Sequence, residues 1–209
     1  MPYNNTTWGA LERWSPIAFL AAGGLFVLPT AIFGFGAATG AGNLVSPIVI
    51  FVLMLVAFVG LLGLSPRLVK EDSTLALGGV GMLSVTAAVI VSTLGVVALP
   101  IELTLGKPHI QAIVTAVVVG STLTLATFGV ASLRTGAYSR LVGSLLLVMA
   151  AGDFSILLAM QVYGDPTPAW ISFVVGVLFV TSLGSVGYVL RSEPTPTETP
   201  EPTGDVPAS

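Results

Sequence analysis

An all-α, polytopic membrane helix bundle of six transmembrane helices is the fold this sequence predicts, and three observations predict it. Of its 209 residues 54% are hydrophobic and 8% charged, where an average soluble domain carries about 25% charged residues. Six apolar stretches, at about 16–35, 45–64, 75–99, 110–133, 141–163 and 169–190, meet the roughly 20 residues a helix needs to cross the hydrocarbon core. The ten-residue alternation of an outer-membrane barrel is absent. Backbone groups in lipid must be satisfied internally, so the spans read as helices.

Residues 1–15 form an expected cytoplasmic N-terminal segment, 16–191 the transmembrane domain and 192–209 an acidic Pro/Thr-rich tail. A signal peptide is not expected at the start: Arg13 is its only basic residue, and the apolar run that follows is too long for an h-region. Pro29, mid-run in span one, predicts a kink. The connections after spans one, three and five predict three hairpins. The first is glycine-rich (Gly34, Gly36, Gly40, Gly42), the second holds Pro100, Glu102, Lys107, Pro108 and His109, and the third is the tight turn Gly164-Asp165-Pro166-Thr167-Pro168. The even spans end alike, in Gly63 to Arg67, Gly129 to Arg134 and Gly187 to Arg191, which suggests a repeated hairpin. The tail is Pro, Thr and Glu with almost nothing apolar; it cannot offset its ordering entropy and is expected to be disordered.

Charge sets the expected orientation. Arg13, Arg67, Lys70, Arg134, Arg140 and Arg191 fall on one side and Lys107 alone on the other, so the positive-inside rule puts both termini in the cytoplasm of a cell-membrane protein. Trp14, Tyr138 and Tyr188 mark the inner border, Tyr163 and Trp170 the outer one. The net charge of −3 says little, because Glu193, Glu198, Glu201 and Asp205 all lie in the tail. No basic patch points to nucleic acid.

Small residues predict the packing faces. Gly81, Ser84, Ala88, Ser92 and Gly95 form one stripe of span three; Ala116, Gly120, Thr124, Thr127 and Ala131 form one of span four. Such faces let membrane helices approach closely, so spans three and four are expected at the centre of the bundle. In span five, Ser144, Ala151, Ser155 and Ala159 suit a helix neighbour, with Asp153 nearly opposite among Leu146, Met149, Leu157 and Met160. The expected partners are the lipid bilayer and, through the small faces, a second copy or another membrane protein.

Asp153 is the only ionisable side chain well inside a span. Facing lipid there would cost at least about 2.5–3.5 kcal/mol, so span five is expected to be covered on both sides, either within the bundle or at a subunit interface. Two roles compete: an interhelical hydrogen bond, or a proton- or cation-binding carboxylate in a transport path. Catalysis is not expected. Gly152-Asp153-Phe154 resembles the end of the Gly-x-Gly-Asp signature of intramembrane aspartyl proteases, but Ala150 replaces the first glycine and no other span supplies the second carboxylate. Retinal would need a lysine within a span. The absence of cysteine and the single histidine, His109, leave no thiolate or imidazole metal site and no expected cofactor.

The layout, and the stretch from Gly143 through Leu190 with its span-five aspartate, short Gly/Pro turn and glycine-rich last helix, resembles the HdeD-like small six-helix membrane proteins. That resemblance implies a multi-pass protein linked to stress or acid tolerance, with no catalytic site. A further layout likeness is to six-helix acetate/succinate transporters, whose Asn-Pro-x-Pro-Leu-Gly motif is replaced by Trp14-Ser15-Pro16-Ile17-Ala18. The expectation is a small accessory or structural membrane protein, the alternative a channel or secondary transporter using Asp153.

Overall fold

The computed structural model describes residues 6–41, 45, 47–71, 73–97, 107–164 and 167–192. They form six helices: α1 (Thr6–Thr39), α2 (Pro47–Glu71), α3 (Ser73–Val97), α4 (Lys107–Thr135), α5 (Arg140–Tyr163) and α6 (Ala169–Ser192). Each is long and apolar enough to cross a bilayer, and no strand occurs among the described residues. A helix of 24 residues, such as α5, is about 36 Å long and exceeds the hydrocarbon thickness. The apolar runs mark the parts within lipid; the helices continue past them, α1 through Arg13 and α2 through Pro66 and Arg67. The segment expected before span one is thus largely the first turns of α1, which runs on through both Pro16 and Pro29.

Consecutive helices pack side by side, and α6 returns to α1 in the most extensive contact of the bundle. The six therefore form a closed ring, crossed by a smaller contact between α2 and α4. Glycines set the spacing in several seams. A Cβ on Gly23 of α1 would stand 3.0 Å from the Gly184 nitrogen of α6, and one on Gly187 would stand 2.8 Å from the Pro16 carbonyl oxygen. Further along the same seam Gly176 meets Thr30 and Gly34 meets Phe173. These pairs run antiparallel. In the α4–α5 seam Gly129 and Gly143 each lie against the other's carbonyl, and in α1–α2 Gly63 lies against Ser15 and the Leu11 carbonyl. Ser15 Oγ also donates to the Gly60 carbonyl at 2.8 Å. The core between the seams is apolar: Phe19, Leu61, Leu64, Phe128, Leu146, Met149 and Leu183 are buried. The α4–α5 turn is closed by Gly136, whose φ of +66° only glycine adopts freely, with its N–H donating to the Ser132 carbonyl at 3.1 Å.

Three expectations are corrected. The stripe Gly81, Ser84, Ala88 and Ser92 points outward from α3; Gly95's surroundings lie outside the described residues. The inner face of α3 is Ala76, Gly79, Leu83, Thr86 and Ile90, and α3 touches only α2 and α4 extensively. It is peripheral because small residues occur on both of its faces and the opposite one met α4. On α4, Gly120 packs on Thr86 and Thr127 reaches toward Gly79, while Thr124 and Ala131 are buried and Ala116 is exposed. On α5, Ser144 and Ala151 are exposed along with Leu141, Val148, Phe154, Leu158 and Val162. One side of α5 is therefore not covered within the bundle, which leaves a subunit interface as the way to cover it; Ser155 is half-buried and Ala159 buried. Tyr138, expected at the border with lipid, is buried, because its ring lies beneath Arg67. Trp14, Tyr163, Trp170 and Tyr188 are exposed. The tail and most of the second connection lie outside the described residues.

Candidate functional site

Asp153 projects from the covered side of α5, where Met149, Ala150 and Gly152 are its buried neighbours. It is 7% exposed. Its partner comes from α4: Ser121 Oγ donates to Asp153 Oδ2 at 2.5 Å. The two are held level because α4 and α5 run antiparallel from the Gly136 turn, with Ser121 and Asp153 each sixteen residues from Ala137. The close approach of Gly129 and Gly143 sets the distance between the helices. This symmetry about the turn is legible in the sequence only when two helices are taken together, so a one-helix pattern singles out Asp153 and misses Ser121.

Ser121 Oγ also lies 3.0 Å from the Val118 carbonyl oxygen. A hydroxyl has a single proton, so it cannot donate to both acceptors at once. With Asp153 ionised, the proton serves the carboxylate. With Asp153 protonated, the carboxyl O–H donates to Ser121 Oγ and the serine proton turns to Val118. The same heavy-atom positions thus satisfy either protonation state.

Most other hydroxyls in the spans do not reach across. Thr30, Ser84, Thr86, Thr93, Thr122, Thr124 and Thr127 each bond the carbonyl four residues earlier in their own helix. The stripes of α3 and α4 therefore supply packing and self-satisfied hydroxyls rather than a polar lining.

Asp153 faces a cavity of about 210 Å³. The lining comes from α1, α2, α4, α5 and α6, with α3 outside it. Phe26, Phe33, Phe51 and Phe179 contribute four aromatic rings, and Met54 and Met160 two thioethers. The rings of Phe26 and Phe179 meet at 5.6 Å between centroids, tilted by 34°. Polar groups are few: among the described residues Gln111, Thr167 and Ser172 line the space besides the carboxyl, and Asp153 is the sole ionisable residue there. Gln111 is exposed near the start of α4, so the cavity runs from mid-bundle toward the end where α5 finishes and α6 begins. The phenylalanines and Ser121 carried no signal in the sequence. In a span, an apolar residue looks the same whether it meets lipid or a cavity.

The opposite end is closed. Arg67 at the end of α2 forms an ion pair with Glu12 of α1. Its guanidinium carbon stands 5.3 Å from the Tyr138 ring centroid, and Tyr138 donates to the Leu64 carbonyl at 3.2 Å. These contacts tie α1, α2 and the α4–α5 turn together. No group of three or more His, Cys, Asp or Glu suited to a metal occurs among the described residues. Comparison with family models, curated proteins and solved structures yields no match.

Proposed function

We propose that this multi-pass membrane protein is a small secondary transporter in which Asp153 is the titratable binding carboxyl. The observation that carries the reading is that Asp153 lines an internal cavity extending toward one end of the bundle, rather than dry helix packing. An ionisable residue kept at membrane depth is costly to stability and marks a working site by default. The Ser121 hydroxyl supports the same reading, since it satisfies the carboxyl with or without its proton. Sites of this kind sit near the bilayer midplane where several helices converge. No catalytic step belongs to this reading.

The topology proposed with it is three hairpins with both termini in the cytoplasm of a cell-membrane protein. Its support is the gathering of Arg67, Arg134, Arg140 and Arg191 at helix ends that share one side of the bundle. The cavity then faces outward. Kinship with HdeD-like proteins, and with it a stress-related role, rests on layout alone.

A second reading follows from the bond between Ser121 and Asp153, which joins α4 to α5. In it the carboxyl is a structural tie in an accessory protein. Cysteine labelling separates the two, because the chain has no native cysteine. Val114→Cys and Met160→Cys, both lining the cavity, are expected to react with a membrane-impermeant cationic thiol reagent added outside intact cells. Leu123→Cys, exposed toward lipid, is expected to stay unlabelled. Proteoliposomes under an imposed pH gradient should also move protons faster with wild type than with Asp153→Asn. Unreactive cavity cysteines together with equal proton movement would leave the structural tie as the better reading.

A further inference from the structure

We propose that the cavity binds a monovalent organic cation, an ammonium group carrying an apolar body of modest size. This deepens the transport reading and rests on it. The groups that line the space disfavour the other ligand chemistries one by one.

An anion or zwitterion with an exposed carboxylate or phosphate would need a positive partner, and no lysine, arginine or histidine lines the cavity among the described residues. A sugar would need many hydrogen-bonding groups in close array. The lining offers Gln111, Thr167 and Ser172 spread among apolar side chains. A hard inorganic cation such as calcium would need about 6–8 oxygen ligands. At the carboxyl the structure supplies Ser121 Oγ, with no second acid in the lining among the described residues.

An organic cation needs what is present. Its charge is met by one carboxylate and its body by rings whose faces are electronegative. Phe26, Phe33, Phe51 and Phe179 put four aromatic rings in the lining, and the Phe26 and Phe179 rings meet at 5.6 Å. Cation–aromatic attraction strengthens in a desolvated site. Met54 and Met160 add polarizable, adaptable walls. A volume of about 210 Å³ is that of roughly seven waters, so the ligand has on the order of ten non-hydrogen atoms.

Proton and ligand then compete for the same carboxyl. The groups facing it are Phe26 and Phe33 from α1, Ile50, Phe51 and Met54 from α2, Val114, Val118 and Ser121 from α4, and Ser172, Val175 and Phe179 from α6. None of these titrates in the neutral range. Lys107 and His109 stand four and two residues before Gln111, with side chains outside the described residues. Affinity for the cation therefore rises as pH rises, and the pH dependence disappears with Asp153→Asn.

The test is titration calorimetry of the full chain in a neutral maltoside detergent, with benzyltrimethylammonium chloride as the probe and sodium acetate as the anionic control. Wild type is expected to bind the cation saturably and ignore acetate. Asp153→Asn should weaken binding by more than tenfold, and Phe51→Leu, which keeps an apolar side chain and removes the ring, by about tenfold. Unfolding midpoints of both variants confirm that each is folded. Should wild type fail to bind the cation while its proton movement in liposomes still depends on Asp153, the ligand class is wrong and the transport reading stands. If both are missing, the two fall together. Binding that survives Asp153→Asn unchanged overturns the assignment of the site.

Discussion

The two halves of the bundle, divided across the middle of the membrane, differ in how much space their packing leaves. In the half that holds Glu12, Arg67 and Tyr138, helices meet through glycine. Gly63 lies on Ser15, Gly129 on Gly143, Gly187 on Pro16 and Leu20, and Gly23 on Gly184. In the other half glycine contacts continue, Gly176 on Thr30 and Gly34 on Phe173, but phenylalanine and methionine also line a cavity between the helices. Both halves are apolar. The difference lies in whether the side chains between the seams fill the space, and in lipid packing decides this because burial alone supplies little drive between helices. A rigid closed half can then support an open half that contains a charge-bearing group.

The strongest way to break this contrast is to remove the group that the open half surrounds. Asp153→Leu should abolish Asp153-dependent proton movement in liposomes while leaving a folded bundle, since the leucine side chain fills apolar space. A midpoint at or above wild type would mark the carboxyl as kept at a cost to stability. A fall in the midpoint larger than that of Asp153→Asn would instead mark it as a structural tie. Next in size is the sealed half. A Cβ on Gly143 would stand 2.9 Å from the Gly129 carbonyl oxygen and 2.7 Å from Leu133 Cγ. Gly143→Val should therefore cost about 1–3 kcal/mol or more, read as a lower thermal midpoint in detergent. Gly187→Val, against the backbone of α1, should behave alike.

Smaller is the loss expected from Arg67→Ala. It removes the Glu12 ion pair and the Tyr138 stacking at a partly exposed position, worth about 0.5–1 kcal/mol. High salt should shrink this difference between variant and wild type. Smallest is the effect at glycines with room. Nothing lies within 4 Å of a Cβ on Gly81, and Gly152 would make only an ordinary contact at 3.5 Å with Val175. Gly81→Ala and Gly152→Ala should shift the midpoint by less than about 0.5 kcal/mol. A large drop from Gly81→Ala would mean that the open face of α3 is covered in the membrane, and one from Gly152→Ala that the contact with Val175 is tighter than 3.5 Å.

The six spans are legible in the sequence because soluble cores rarely hold apolar runs long enough to cross lipid. Asp153 is legible too, since an acid at that depth stands apart from every neighbour. Which face of a helix turns inward is not written there. On α3 the outward stripe Gly81, Ser84, Ala88 and the inward one Ala76, Gly79, Thr86 are both small, and only the partner helix chooses between them. The α1–α6 seam is equally hidden. Gly23 and Gly184 are 161 residues apart, and no local signal links them. The phenylalanines of the cavity stay hidden because a ring facing lipid and a ring facing a hollow are written with the same letter.

The α1–α6 seam also bears on how the protein is made. A ring closed between α1 and α6 cannot close until α6 has been made, and the segments between are synthesised before it. Throughout translation of the intervening helices, the glycine face of α1 has no partner of its own chain. The last helix is therefore the one whose arrival completes the wall on both sides of the cavity.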